Sequence, residues 1–474
     1  MKLRLSNSET RGPTGWKGHS SPKPNDQFEP TKLSTGVKVN NTLPSLGSFS
    51  SLRPIQPSLI IDANARKNTQ QMEATMQITD VRLRQLSGTM EVDGPFMEDR
   101  LVQPRDIYPE FYSGEGVGQR PGNQQVDDKH FNVRATFLEI LTDEGATGIA
   151  SVQPASEHHI IAQLKPLLIG RNPLATEKIW DQMHRTLVHG RQGHPMMAVS
   201  SVDNALWDLK GKWLGQPVHM LIGGPTRDEM PVYASMLGHN ATDMGLVRER
   251  ALWAQSQGYT AHKWFFRNGP MQGPEGLKKN VDLVKTLRET LGEDDDIMLD
   301  CWQSMDANYV VYLASRIEEY RPRWLEECLM PDRIESHLRI KAKTSIPLSG
   351  AEHEYTRWGF KRWIDAGALD IIQPDCGWAG GLSEVLKIAA MASAADLITI
   401  CHQGVTPVGM AFSASQSPIH TPYVEMLVKH AALAYHFAKK PLDYANGFVR
   451  VSQDPGFGFD IDETKVESDE VLEL

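Results

Sequence analysis

Six residues set the chemistry open to this chain. Asp300, Glu326, Glu352, Asp375, His402 and Glu425 each stand at or near the end of a short apolar run, with 26, 26, 23, 27 and 23 positions between successive members. One strand, one helix and two loops take roughly that many residues in a barrel of about 250 residues and eight units. Successive members therefore emerge side by side on the C-terminal rim, where barrel enzymes keep their sites. Three carboxylates packed together raise one another's pKa and cannot all ionise without a cation. Asp300, Glu326 and Glu352 offer hard oxygen donors with no His or Cys among them, so Mg2+ is the expected ion, with positions left for water or substrate oxygens. Such a metal suits a substrate carboxylate, whose α-proton becomes removable once the enediolate is neutralised. His402 is then the expected base, and Asp375 on the preceding strand orients it and fixes its tautomer.

Plainer readings stand beside these. A single acid at a strand end more often caps a helix or sits in a loop, and only the set at unit spacing outweighs that. Lys263, ending the second strand, reads as a second base, a carboxylate clamp or a rim lysine. His353 reads as a donor to substrate or a satisfied rim histidine, and Glu425 lies within the eighth strand. Glu327 follows Glu326 and is expected to point to the other face of the strand, so it is left out. Cys301, Cys328, Cys376 and Cys401 all fall near strand ends and read as small buried thiols. His130, His189 and His194 are assigned ordinary roles. The tract Gly377-Trp-Ala-Gly-Gly381 reads as a tight turn into a helix, because no Gly-Lys-Ser/Thr follows it.

The elements that must position these residues form a repeat. Short apolar runs at 232–236, 261–266, 297–300, 323–326, 346–350, 369–373, 397–401 and 423–427 alternate with amphipathic stretches such as 276–291, 307–320 and 382–394. Eight strand–helix units imply a parallel sheet closed into a barrel. From Met76 to about Gly148 the pattern is β, with a hairpin turning at 143–145. Helical periods then occupy 158–168, 174–187 and 197–214, the last stopped by Gly215 and Pro217. The loop at 91–129 is long enough to be a lid or a binding loop. The boundaries expected are a leader at 1–75, an α+β capping domain at 76–225, the barrel at 226–440 and a segment at 441–474 that packs back on the cap.

The chain has 474 residues, 40% hydrophobic and 23% charged, which suits a globular protein with a large core. No apolar run reaches the 18 or more residues of a membrane span. A net charge of −10 argues against a broad nucleic-acid surface. Four Cys make no disulfide framework, so a reducing compartment is expected. The first 75 residues are rich in Ser, Asn, Pro, Thr and Gly and carry ten basic side chains against five acidic. They read as disordered, either a transit peptide or an over-long start ahead of Met76. The location expected is cytoplasmic, or organellar if the leader is a transit peptide.

The pattern resembles the enolase superfamily, mandelate racemase subgroup, over about residues 76–465. The match is carried by the helix at 198–212 running on to Pro217–Gly223, by Trp324-Leu-Glu-Glu-Cys328 and by Ser349-Gly-Ala-Glu-His353. Within the subgroup, Leu299-Asp-Cys-Trp302, Gly350-Ala-Glu-His353 and Gln373-Pro-Asp-Cys-Gly-Trp-Ala-Gly-Gly-Leu382 most resemble L-rhamnonate dehydratases and related acid-sugar dehydratases. The resemblance implies an α/β fold, a modified TIM barrel (β/α)7β under an N-terminal α+β capping domain. It implies Mg2+ on Asp300, Glu326 and Glu352, a His402–Asp375 dyad as base, and substrate contacts from His353 and Glu425. A Lys or His base beside one or two Mg2+ ions is general to this superfamily rather than something spacing reveals. The implied reaction removes the C2 proton of a sugar acid and eliminates the C3 hydroxyl to give a 2-keto-3-deoxy acid. Arg100 and Arg105 on the lid loop are candidates for reading the distal hydroxyls. The partner expected is a small-molecule sugar acid, in a homo-oligomer, with no nucleic acid and no membrane.

Two departures from the subgroup matter. Racemases commonly carry Lys-x-Lys on the second strand, whereas Lys263-Trp-Phe265 has Phe at the second position, which favours one-sided elimination. Cys401-His-Gln-Gly404 differs from the Pro-His-Gly order of rhamnonate dehydratases. Two alternatives stay open: a cycloisomerase of an anhydro-sugar acid or lactone using the same enolate chemistry, and a catalytically silent barrel that acts as a binding protein. A zinc hydrolase is weaker, for want of clustered His ligands.

Overall fold

The computed structural model describes residues 76–113 and 123–473. The expected leader, and positions 114–122 of the long loop, lie outside the described residues. Alternating apolar positions build β1 (Ile78–Glu91), which buries Ile78, Val81, Leu83 and Leu86. It pairs antiparallel with β2 (His130–Thr142) along its whole length, and β2 pairs with β3 (Thr147–Val152). The helices α1 (Thr176–Thr186) and α2 (His194–Leu214) cover this sheet. The stop expected for α2 is present, with Gly215 left-handed at φ 63°. Gly148 lets β3 lie against α2, since a Cβ there would come 2.0 Å from the Ala205 carbonyl oxygen.

All eight barrel strands appear where the apolar runs put them. They are β4 (Met230–Ser235), β5 (Ala261–Phe265), β6 (Asp296–Asp300), β7 (Trp324–Glu326), β8 (Leu348–Gly350), β9 (Ile371–Ile372), β10 (Ile398–Thr399) and β11 (Val424–Leu427). They run parallel in the order β10-β9-β8-β7-β6-β5-β4-β11. Seven helices alternate with them, from α3 (Met244–Ser256) through α4 (Gly273–Leu291), α5 (Ala307–Ile317), α6 (Ile334–Lys341), α7 (Thr356–Ala366) and α8 (Leu382–Ala394) to α9 (Pro407–Ser415). The architecture is thus (β/α)7β.

Inside the barrel the two-residue period of a strand creates two layers. Tyr233, Ala261, Met298, Trp324, Ile371 and Ile400, with Tyr423 beside them, form one apolar cluster. Two positions further along each strand come Ser235, Lys263, Asp300, Glu326, Gln373, His402 and Glu425. The polar layer therefore rests on an apolar floor that excludes water from below.

The end of the chain returns to the cap. A strand β12 (Ser468–Val471) pairs antiparallel with β1, and Phe437 and Ile461 pack with Leu86, Phe131, Val133 and Phe137. The long loop, in turn, is fastened across the barrel rim. Glu98 N–H donates to Gly238 O at 2.7 Å, Val102 N–H to Phe266 O at 2.8 Å, and the Tyr112 hydroxyl to Asn268 Oδ1 at 3.0 Å. Arg100 is consumed by this loop, bonding Asp106 at 2.7 Å and the carbonyls of Phe111 and Tyr112, both at 2.9 Å. Arg105 is exposed, with its guanidinium over the Phe111 ring at 5.1 Å. The Arg100 donors are thus spent within the loop, and the Arg105 guanidinium donates to Gln103 at 2.9 Å.

Helix α2 also grips the turn that leads into α8. Asp203 accepts the Ser383 N–H at 2.9 Å and its hydroxyl at 2.7 Å, while Asn204 accepts Leu382 N–H at 3.0 Å and donates to Cys376 O at 3.0 Å. Burial pushes the Asp203 carboxyl up to about 7, against the Ser383 bonds that favour its charge. A carboxyl raised on folding contributes its stability in full below the unfolded value near 4 and loses it as pH rises through about 7. Urea unfolding of Asp203→Asn should therefore fall less steeply between pH 5 and 8 than that of the wild type. Equal slopes would place the dependence on another group.

Candidate active site

The polar layer is built from strand ends that bring distant residues together. His402 bridges to Asp375 through the backbone, and its Nδ1 lies 2.8 Å from Asp375 Oδ2. The other imidazole nitrogen faces Glu352 Oε2 at 3.5 Å and Glu425 Oε2 at 4.0 Å. Trp378 packs on the His402 ring with centroids 4.8 Å apart, and on His353 at 5.3 Å. Burial alone would lower the His402 pKa, but Glu352, Asp375 and Glu425 together hold it well above the ordinary imidazole value.

Lys263, which shares Glu425 with His402, is 1% exposed rather than at the surface. Its ammonium pairs with Glu326, with Glu425 Oε1 at 2.6 Å and with Asp300 Oδ2 at 3.3 Å. Burial opposes that charge, yet Glu326 and Glu425 raise the lysine pKa well above its usual value. Glu425 in turn is pulled down to about 2, Lys263 and His402 prevailing over burial. Gln373 donates to Glu326 Oε2 at 2.8 Å and Trp324 Nε1 to the same oxygen at 2.9 Å.

The three carboxyls expected to share an ion are thus unequally placed. Asp300 and Glu326 meet at Lys263, while Glu352 stands among the imidazoles, with His353 Nδ1 3.4 Å from Oε1. Glu327 joins this second group, which corrects the reading that turned it away. Strand β7 stops at Glu326, and Glu327 adopts a left-handed φ of 45° that breaks the strand alternation. Its side chain accepts the Ala351 N–H at 2.7 Å and faces His353 Nδ1 at 3.1 Å. Among the described residues, Glu327, Glu352 and His353 offer ligand atoms all within 4.8 Å of one another.

Charge shows what the layer requires. Asp300, Glu326, Glu327, Glu352, Asp375 and Glu425 are all buried, and among the described residues Lys263, His353 and His402 are the cationic groups that pair with them. Burial together with Glu326 drives the Asp300 carboxyl well above the ordinary range. Burial pushes Glu352 up to about 7 despite the two histidines. Acids crowded and buried in this way favour a nearby cation, and their hard oxygen donors fit a divalent ion such as Mg2+.

Gln373, Trp378 and Gln403 also belong to the site and escaped sequence reasoning. Gln373 alone had a usable signal, its position two residues beyond the floor residue Ile371. The glycine tract is a turn as expected, Gly380 and Gly381 having φ of 122° and 85° just before α8. All four cysteines are buried and free.

A (β/α)7β barrel under an α+β cap, with acids and an imidazole ranged on its C-terminal rim, defines an enolase-type enzyme. Residues 128–223 match the mandelate racemase / muconate lactonizing enzyme N-terminal domain, and residues 246–465 match the enolase C-terminal domain-like family. An L-rhamnonate dehydratase of Saccharopolyspora erythraea is 32% identical over 380 residues, which cover 78% of this chain and 91% of that protein. The rhamnonate dehydratase of Gibberella zeae complexed with Mg superposes with a TM-score of 0.70 at 27% identity, over 84% of this chain and 96% of that one. The 3,6-anhydro-D-galactonate cycloisomerase of Zobellia galactanivorans gives a TM-score of 0.66 at 26% identity, over 83% and 100%. The chain belongs to the mandelate racemase / muconate lactonizing enzyme group of the enolase superfamily. Among the described residues no helix is long and apolar enough to cross a membrane.

Proposed function

We propose that this protein is a Mg2+-dependent hydro-lyase that dehydrates a sugar acid such as L-rhamnonate. The observation that carries the reading is the His402–Asp375 pair, 2.8 Å apart, beside a buried layer in which carboxyls outnumber cations. Asp300, Glu326 and Glu352 would hold the Mg2+. When bound, it supplies a Lewis acid that neutralises the charge developing on the substrate carboxylate.

The remaining work falls to side chains of this chain. Asp375 fixes the Nδ1 side of His402, so the other nitrogen is the one that takes the C2 proton. Glu352 Oε2 faces that nitrogen at 3.5 Å, and with its charge committed as a metal ligand the imidazole would be freer to act as base. Breaking C2–H and C3–O leaves a C2=C3 enol, and the C3 hydroxyl departs as water with the proton that His402 carries. The enol then tautomerises to the 2-keto-3-deoxy acid. Lys263 is occupied by three carboxylates and Phe265 replaces a second lysine, so proton removal is one-sided, as elimination requires and racemisation does not. His353, held by Glu327, is placed to contact a substrate hydroxyl.

The test is a panel of aldonic and anhydro-aldonic acids assayed for 2-keto acid. Formation from an aldonate such as L-rhamnonate supports the dehydratase, and silence on every aldonate overturns it. The likeness to the Zobellia enzyme favours a second reading, ring opening of an anhydro-sugar acid, which the same panel detects as keto acid from the anhydro substrates alone. Glu352→Gln should weaken Mg2+ binding about tenfold or more by calorimetry, and unaltered affinity would remove it from the ligand set.

A further inference from the structure

The residue after the proposed base is held in an uncommon way. Gln403 has φ of 51°, a left-handed conformation that Gly and Asn adopt readily and Gln seldom does. From that position its backbone N–H donates to Glu425 Oε2 at 2.9 Å. Its side-chain Nε2 donates to Asp375 Oδ2 at 3.2 Å, the oxygen that also faces His402 Nδ1. The other oxygen of Asp375 accepts the Gly377 N–H at 2.5 Å. One residue thus ties a group just beyond β9 and its own turn after β10 to a carboxylate within β11, around the imidazole. A glycine would make the same turn without strain and would supply the same N–H to Glu425. What glutamine adds is the carboxamide on Asp375.

We propose that Gln403 is a positioning residue, whose carboxamide pins the Asp375 carboxylate so that His402 keeps its second nitrogen turned to the Glu352 side. Without that donor, Asp375 retains Gly377 on one oxygen but is free to swing about its χ angles on the other. The inference rests on the reading of His402 as base. Its structural half, the pinning of Asp375, is observable without any substrate.

Gln403→Asn and Gln403→Gly separate the carboxamide from the turn. Both residues accept the left-handed backbone and keep the N–H to Glu425, and asparagine falls one methylene short of Asp375. The expected result is a kcat about tenfold lower in both variants, the scale of one hydrogen bond to a charged group, with KM within about twofold. The melting temperature should stay at or above that of the wild type, because the strained backbone is relieved. Downfield proton NMR should show the His402 Nδ1–H exchanging faster with solvent in both variants. Wild-type kcat together with an unchanged imidazole proton would overturn the proposal. So would a melting temperature that falls in step with kcat, which is what a merely structural residue gives. If the wild type turns over no sugar acid, the functional reading fails, and the imidazole proton alone then decides for or against the pinning.

Discussion

Replacing His402 by alanine should lower turnover of the sugar-acid substrate by about 10³-fold or more, the upper part of the range that a positioned general base contributes. The loss should be confined to chemistry. Asp375 keeps its bonds from Gly377 and Gln403, and Glu425 keeps Gln403 and Lys263, so the carboxyl layer loses one neighbour without collapsing. Mg2+ affinity should accordingly remain, since none of the three proposed ligands is altered. The sharpest measurement is exchange of the C2 proton in D2O, which reports abstraction even when elimination fails. An alanine variant that exchanges at the wild-type rate would strip His402 of the base role and turn attention to Lys263. Because Lys263 is already paired with Asp300, Glu326 and Glu425, it has no free lone pair to offer, and exchange is expected to vanish.

The ladder of strand-end residues was legible in sequence because two regular periods coincide in it. The unit spacing of the barrel sets the rim order, and the two-residue strand period sets which side chains turn inward, so Asp300, Glu326, His402 and Glu425 all land in one layer. Where the backbone leaves those periods, the reading failed. Glu327 belongs to no alternation once β7 has ended, and its left-handed φ carries the carboxylate back toward His353. Gln403 acts through the same kind of turn. Arg100 shows the converse limit. A loop arginine near a rim looks like a substrate contact, but its donors are claimed by Asp106 and two carbonyls that only the folded loop brings within reach. The unequal division of the acids between Lys263 and the histidines was equally hidden, since spacing reports adjacency of strands and says nothing of which partner a long side chain selects.

That division leads to the second large effect. Lys263→Met should destabilise the metal-free protein by about 3–5 kcal/mol, the cost of leaving buried charges without their partner. Methionine matches the length of the lysine stem and suits the neighbouring Tyr233 and Phe265 rings, which lie 5.9 and 5.5 Å from the ammonium. The loss is therefore electrostatic and not one of packing. Glu425, held down to about 2 by Lys263 and His402, gives stability that is whole above the unfolded value near 4.5 and is lost as pH falls through about 2. In the variant the largest of those pulls is gone, so its stability deficit should be greatest at neutral pH and should shrink as acid protonates the layer. Saturating Mg2+ should raise the melting temperature of the variant by more than that of the wild type, because a bound cation is worth most where the native charge is least balanced. Urea unfolding at pH 7 and pH 4, with and without Mg2+, reads all of this. A variant as stable as the wild type at pH 7 would mean that the acids around Lys263 are neutral in the folded protein and need no counter-ion.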